Sequence, residues 1–322
     1  MSSDSAIQAL AGSLGGVVAM TATYPLIFLS TRSAVEVKKD NKSTISVVLD
    51  IIKRQGFIGL YDGLTSSLLG IAVTNGVYYF FYERMRDTLL KSRTGSKGLS
   101  TLESILAGLI AGTATTLISN PLWVIQTSQA VRSMQDARQE VPKGTEGTPP
   151  ESKTTDAPQP RPNIVQTARS IIAKDGWQAF WRGIGPALAL VINPIIQYTV
   201  FEQLKNLLAA RRLANAKVAG VAIGAAILTD WDFFFLGALS KLAATSSTYP
   251  YIVLKSRLQA GHHKYKSAMH GLLTILKEEG VEGLYKGIGS KLTQSVLTAA
   301  ILFVVQKRLY EMTKKLITQG RK

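Results

Sequence analysis

The sequence of 322 residues contains no cysteine and only three histidines, His262, His263 and His270. Disulfide bonds and thiol chemistry are therefore excluded, and three clustered histidines offer little for catalysis. The sequence also lacks a cluster of metal ligands, a nucleophile beside a base and a pair of catalytic carboxylates, which makes an enzyme the least favoured class. We therefore predict no catalytic residue, no metal and no cofactor.

Acidic residues are scarce: 21 Asp and Glu stand against 37 Lys and Arg, so the formal net charge is +16. Such an excess attracts nucleic acid, anionic lipid or a small anionic substrate. Basic loops at an anionic membrane surface account for most of the excess. The long apolar runs of the chain make nucleic acid the least favoured of the three partners.

Charged residues are absent from four long apolar runs, at 5–31, 64–82, 104–131 and 183–201. Each run is long enough to cross most or all of a hydrocarbon core about 30 Å thick. Two later segments, 232–259 and 288–314, have a similar composition but contain Lys241 and Lys291. We count them as spans five and six and predict an all-α membrane protein. The run 218–229 is too short to cross alone and is predicted to be an interfacial segment or a packed loop.

One order of features occurs three times along the chain. Each copy begins with an apolar run that contains a proline, Pro25, Pro121 or Pro250, and continues with an amphipathic segment, a turn and a second apolar run. Such a repeat predicts three pseudo-symmetric units, each with two transmembrane helices and a short amphipathic surface helix between them. The units are residues 1–95, 96–215 and 216–322, and the surface helices are expected at 45–53, 165–174 and 268–277.

The second unit is longer than the others because of residues 132–162, which are rich in Pro, Gly, Thr and charge. This composition predicts a disordered insertion. Small residues four apart, such as Gly108 and Gly112, predict a close approach of helices in lipid.

In their order and number these features resemble the mitochondrial carrier family over almost the full chain. The matching marks are the three prolines, the aromatic-basic-glycine steps at 181–183 and 285–287, and the ends of the second runs at 82–86 and 201–205. Asn-Pro-Leu-Trp at 120–123, Tyr-Pro-Tyr at 249–251 and Gly-Ala-Leu-Ser-Lys at 237–241 are most similar to the fungal peroxisomal adenine nucleotide carriers of that family.

The resemblance implies a monomer in the peroxisomal membrane that exchanges cytosolic ATP for luminal AMP or ADP by alternating access. It also implies contact with the peroxisomal membrane import machinery and a supply of ATP for fatty acid activation and β-oxidation. One alternative is a carrier of coenzyme A, FAD or NAD, in the peroxisomal or the mitochondrial inner membrane. Another is a membrane scaffold that transports nothing and recruits partners through the insertion.

The resemblance further implies two gates. The inner gate of the family pairs an acidic residue two places after each proline with a basic residue five places after the next proline. Here the first positions hold Ile27, Trp123 and Ile252, and the second hold Ser30, Gln126 and Lys255. We therefore expect a weak gate without ion pairs, which depends on packing and hydrogen bonds. A bracing glutamine nine places after the proline is present only as Gln259.

On the cytosolic side, the resemblance implies an outer gate at the ends of the second helices. Glu83 faces Lys205 there, Glu202 faces Leu309, and Gln306 faces Arg86. One of the three ion pairs is therefore expected to be complete.

Lysines inside membrane spans are costly unless they face protein or a water-filled cavity. Lys241 and Lys291 are therefore candidate ligands for phosphate. The alternatives are that Lys241 pairs with Asp230 or Asp232, or that its ammonium group reaches the membrane interface.

The resemblance adds three central contact points at Gly70, Ala189 and Gln294. Gly70 either leaves room for a base or serves helix packing, and Gln294 offers an amide to a ring or ribose. Polar amides in apolar spans must find partners in the cavity or between helices. These amides are Asn75, Asn193 and Gln197, and the aromatic candidates for stacking on adenine, or for packing, are Tyr78 and Tyr79.

Overall fold

The computed structural model describes the backbone of residues 3–35, 49, 51–53, 56–91, 99–139, 163–218, 228–261, 265 and 267–319. Within these ranges the chain is helical and no strand occurs, which confirms the predicted all-α class. The helices are α1 (Ser3–Val35), α2 (Leu64–Lys91), α3 (Thr101–Gln139), α4 (Ile164–Asp175), α5 (Ile184–Ala189), α6 (Asn193–Val218), α7 (Asp230–Gln259), α8 (Ala268–Leu284) and α9 (Ile288–Gln319).

Four stretches of the described chain are long and apolar enough to cross a membrane. They are Leu14–Val35, Phe57–Lys91, Thr101–Val131 and Trp177–Asn215. The helices α7 and α9 contain 30 and 32 residues, so their length suffices for the predicted fifth and sixth spans, although their composition is more polar.

The long helices pack into a closed ring. The main contacts join α1 with α9, α2 with α3, and α6 with α7. Each of these contacts connects one repeat to another, and the contact between α1 and α9 joins the last repeat to the first. The ring therefore encloses an interior that all three repeats line.

Several elements differ from their predicted bounds. The surface helix α4 extends one residue beyond the predicted segment at each end, and α8 continues past position 277 to Leu284, with a break at Gly280. The predicted surface helix at 45–53 and the run 218–229 lie largely outside the described residues. The span predicted at 183–201 consists of α5, a 3-10 turn at Leu190–Ile192 and α6, since Pro194 interrupts regular helix hydrogen bonding.

The predicted insertion begins later than position 132. The helix α3 extends to Gln139, because residues 132–139 include Met, Gln, Ala and Arg, which favour helix. Residues 140–162 lie outside the described chain.

Three turns of one design connect the two membrane helices of each repeat. In each turn, the residue before the helix proline donates a side-chain hydrogen bond to the carbonyl of the middle residue of the turn. The donor and acceptor pairs are Tyr24 and Asp62 at 2.9 Å, Asn120 and Arg182 at 3.1 Å, and Tyr249 and Lys286 at 3.0 Å. The bonds hold each turn against the first helix of its own repeat.

The glycine that ends each turn packs against the next repeat. Gly63, Gly183 and Gly287 have positive φ angles of 86°, 72° and 80°. A Cβ atom at these positions would lie 3.4, 3.0 and 2.9 Å from the backbone carbonyl oxygens of Gln126, Lys255 and Ser30, respectively. Each of these carbonyls belongs to the residue five places after a helix proline, so the three contacts form a second closed ring.

A buried ion pair adds to this ring in the third repeat. Arg257 is 1% exposed, donates from Nε to the carbonyl of Ala34 at 3.0 Å, and forms a bidentate pair with Glu279. Burial opposes ionisation of Glu279, but hydrogen bonds from Arg257 and Lys286 outweigh burial and hold its pKa below the ordinary value. The pair therefore contributes stability at neutral pH, which is lost as the pH falls through the lowered pKa.

We predict that Gly183→Ala destabilises the fold more than Gly176→Ala. Both glycines have positive φ, so alanine is strained at both positions, but only Gly183 lacks space for a methyl group, while nothing lies within 4 Å of the Cβ position of Gly176. Overpacking costs about 1–3 kcal/mol, so the thermal midpoint in detergent should fall further for Gly183→Ala. Equal losses for the two variants would contradict this packing role.

Candidate substrate cavity and inner gate

A cavity of about 670 Å³ lies between α2, α3 and the broken span of α5 and α6. Small and hydroxyl-bearing residues recur every three or four positions along the wall that α3 provides. They are Thr101, Ser104, Gly108, Gly112, Thr115, Thr116 and Ser119. At Gly112 a Cβ atom would lie only 2.7 Å from Val191, so the predicted close approach of helices occurs there.

Aromatic rings and one cation complete the lining of this cavity. The rings belong to Tyr78, Trp123 and Tyr198, and Lys255 is the one charged residue among the described residues that line it. The cavity can therefore present ring faces and hydroxyl groups to an aromatic base, and a positive charge to an anion.

Trp123 and Lys255 lie together at one end of the cavity. The Lys255 Nζ is 5.6 Å from the centroid of the Trp123 ring, which is a cation–π distance. The Trp123 Nε1 donates to Thr74 Oγ1 at 3.3 Å, which orients the indole. The next residues of α3, 124–127, are at most 5% exposed. Trp123 and Lys255 are therefore the floor of the cavity.

This floor occupies the positions where the family resemblance places an ion pair between the second and third repeats. A cation–π contact stands there instead. At the corresponding positions of the other repeats, Ile27 and Ile252 pack in apolar clusters, and Ser30 Oγ donates to the carbonyl of Ile27 in its own helix.

Next to the floor lies a layer of neutral hydrogen bonds between α3 and α7. Gln259 Nε2 donates to Asn120 Oδ1 at 3.2 Å, and Thr127 Oγ1 donates to Gln259 Oε1 at 3.3 Å. All three side chains are buried. This layer ties both helices to the turn of the second repeat, because Asn120 Nδ2 also donates to the carbonyls of Phe180 and Arg182.

Lys291 of α9 lies near Lys255, whereas Lys241 is fourteen residues, or about 21 Å of helix, from Lys255 along α7. The charge of Lys291 repels that of Lys255 and that of Lys241, so the three ammonium groups form a sequence across α7 and α9. Among the described residues, no hydrogen bond or ion pair engages the ammonium groups of Lys241 and Lys291. The alternative in which Lys241 pairs with Asp232 is wrong, since Asp232 pairs with Arg212 at 2.6 Å. The Asp230 side chain is outside the described side chains.

The contact points implied by the resemblance have different surroundings. Gly70 is buried, and a Cβ atom there would lie 3.6 Å from the Trp123 ring, so the indole occupies the space expected for a base. Gln294 is 8% exposed and donates from Nε2 to Thr298 Oγ1 at 2.8 Å, while its Oε1 has no partner among the described residues. Ala189 is exposed.

The amides predicted from polarity lie outside the set of residues that line the cavity. Asn193 Nδ2 donates to the Ala244 carbonyl at 3.1 Å and to Thr248 Oγ1 at 2.7 Å, so it joins α6 to α7. Asn75 is exposed and Gln197 is half-buried. Of the two candidate stacking rings, Tyr78 lines the cavity and Tyr79 is 64% exposed outside it.

The outer-gate residues pair within their own helices. Glu83 pairs with Arg86 at 3.0 Å and Glu202 with Lys205 at 2.7 Å. The predicted pair of Glu83 with Lys205 is therefore not formed in this conformation, because opposite charges three residues apart on one helix are already neighbours. The side chain of Gln306 lies outside the described side chains.

Sequence reasoning missed several residues that line the cavity, including Thr74, Asn120, Tyr198 and the role of Trp123 as its floor. The signal for the α3 wall was present, since small residues at 108, 112, 115 and 119 follow helical spacing. That spacing predicted helix packing alone.

The closed ring of long helices, the internal threefold pattern and the cavity between the repeats define a membrane transporter of the carrier type. The chain belongs to the mitochondrial carrier protein family, whose model matches residues 2–93, 97–212 and 228–321. Members of this family are transporters.

Three relatives extend this finding. The peroxisomal nicotinamide adenine dinucleotide carrier of Arabidopsis thaliana is 34% identical over 99% of both chains. Peroxisomal membrane protein PMP47B of Candida boidinii is 31% identical, over 99% of this chain and 89% of that protein. Peroxisomal adenine nucleotide transporter 1 of Saccharomyces cerevisiae is 28% identical, over 96% of this chain and 93% of that protein. The predicted family, membrane fold and peroxisomal membrane location are confirmed.

We predict that Gln259→Ala weakens the neutral layer. The change removes the donor to buried Asn120 Oδ1 and one of the two acceptors near the Thr127 hydroxyl, at a cost of about 1–3 kcal/mol. The thermal midpoint of the purified protein should fall, whereas Gln203→Ala, at an exposed position of α6, should leave it nearly unchanged. A midpoint that is the same for both variants would exclude Gln259 as a brace.

Proposed function

We propose that this carrier exchanges adenine nucleotides across the peroxisomal membrane, moving ATP inward for AMP or ADP outward by alternating access. Such exchange supplies ATP for fatty acid activation and β-oxidation inside the organelle. The observation that carries the proposal is Lys255 at the floor of a cavity whose other described lining residues are uncharged, with Lys291 near enough to Lys255, and Lys241 near enough to Lys291, for their charges to interact.

The three lysines suit a polyphosphate. Lysine is a compact, mobile cation, and several of them together can follow a chain of phosphates. ATP carries several negative charges, whereas NAD carries a pyrophosphate partly offset by the positive nicotinamide ring. Three interior cations therefore favour ATP over NAD as the preferred cargo.

The cavity wall suits the nucleoside part. Tyr78, Trp123 and Tyr198 offer ring faces, and stacking of a base on an aromatic side chain contributes about 1–3 kcal/mol. Hydroxyl groups of Thr74, Thr116 and Ser119 can bond ribose or the edges of the base. Gln294 does not line this cavity, so its contact with a ring or ribose stays a prediction from the resemblance.

The second candidate function is transport of NAD or another cofactor that contains adenylate, such as coenzyme A or FAD. The identity with the Arabidopsis carrier favours it, since that relative is named for NAD. The cargoes of both candidate functions contain an adenylate group, so both would use the same cavity wall. They differ in how many phosphate charges the lysines must neutralise. The monomeric state and the contact with the import machinery stay predictions.

We predict that the full-length protein in liposomes preloaded with AMP takes up labelled ATP, and that Lys291→Gln and Lys241→Gln each lower this uptake at least tenfold. A charge-assisted hydrogen bond is worth about 1.5–3 kcal/mol, and the loss should be larger for ATP than for AMP. Lys277→Gln, on an exposed face of α8, is the matched control and should retain uptake.

Two outcomes contradict the proposal. Uptake that requires NAD or coenzyme A inside the liposomes, and that both lysine variants retain, favours the second candidate. The absence of any nucleotide transport by the wild-type protein favours the scaffold alternative.

A further inference from the structure

The contact between Trp123 and Lys255 joins two repeats at the one place where the cavity floor holds a charge. Trp123 belongs to α3 and Lys255 to α7, and both line the cavity. A ligand in the cavity therefore has direct access to both partners of the contact.

Competition for Lys255 favours a phosphate over the indole. A cation over a ring is held by the ring quadrupole alone, whereas a phosphate oxygen accepts a charge-assisted hydrogen bond from the same ammonium group. Repulsion from Lys291 also draws Lys255 toward an anion, because the anion neutralises both cations. A phosphate at the floor therefore removes the ammonium group from the ring.

Release of this contact leaves only neutral bonds among the interactions described between α3 and α7. These are the bonds of Gln259 with Asn120 and Thr127. The equivalent positions of the other two interfaces hold Ile27 with Gln126 and Ile252 with Ser30. Neither of those pairs contains a cation. A bound phosphate therefore has no lysine or arginine at those positions to draw away from a contact.

We propose that Trp123 and Lys255 form a latch between α3 and α7, which the phosphate of the bound ligand releases so that the floor opens first at this interface. The inference rests on the proposed function, since it needs a phosphate-bearing ligand in the cavity. It deepens that function by making one interface of three responsive to the cargo. Trp123 acts as a positioning residue through Lys255.

The test measures leak against exchange in liposomes that contain the full-length protein. Leak is the efflux of labelled ATP into buffer without nucleotide, and exchange is the efflux into buffer with AMP. We expect Trp123→Leu to raise the ratio of leak to exchange about tenfold, because an empty carrier without the latch opens more often. Lys255→Gln should have the same effect, and the double variant should add nothing further.

Matched variants separate the latch from a general loss of packing. Trp123→Phe keeps a ring beneath the ammonium group and should keep the ratio near that of the wild type. Trp177→Leu makes the same substitution at a tryptophan that is 65% exposed, away from the cavity, and should not change the ratio. An unchanged ratio in Trp123→Leu, or additive effects in the double variant, would overturn the latch.

A binding measurement distinguishes failure of the latch from failure of the proposed function. In a variant that combines Trp177→Phe, Trp181→Phe and Trp231→Phe, Trp123 is the one remaining tryptophan. Its fluorescence should change saturably with added pyrophosphate or ATP, and Lys255→Gln should abolish the change. If the fluorescence of Trp123 does not change in a protein that exchanges ATP, the latch alone is overturned. A saturable change in a protein that exchanges no adenine nucleotide overturns the proposed function and leaves the latch supported.

Discussion

The structure depends on the closed ring of contacts between turn glycines and backbone carbonyls. Each turn is held to its own repeat by the side chain before a helix proline and abuts the following repeat through a glycine without room for a methyl group. These contacts use backbone atoms, so they do not depend on which side chains line the interior. The ring can therefore remain constant while the cavity above it is adapted to a particular cargo.

Symmetry in the scaffold is combined with asymmetry in the side chains. The three repeats share the same turns, but among the residues that the structure describes, the buried pair of Arg257 with Glu279 belongs to the third repeat and the cation on an aromatic ring to the interface between α3 and α7. Buried charges are costly unless they are paired, so each such group marks a place with a distinct task. Lys241, Lys255 and Lys291 lie on α7 and α9, whereas the rings of Tyr78, Trp123 and Tyr198 that line the cavity belong to α2, α3 and α6.

Much of the fold follows from the sequence, because proline positions, hydrophobic run lengths and turn glycines are local signals that recur three times. The surface helix α4 lies within one residue of its prediction for this reason. Contacts such as that of Trp123 with Lys255 join residues 132 positions apart in the sequence. They depend on how far each helix rotates about its axis, and hydropathy does not report that rotation. The predicted ion-pair partner of Glu83 is wrong for a related reason. Arg86 on the same helix competes with any cation on a neighbouring helix for the Glu83 carboxylate.

The length of α3 has a consequence for the segment that follows it. The apolar part of this helix ends near Val131, and the helix continues for eight more residues, or about 12 Å, to Gln139. Those residues include Arg132, Asp136 and Arg138. A charged helical arm of this kind separates the apolar part of α3 from the chain that follows Gln139, so changes in the length of that chain need not strain the transport machinery.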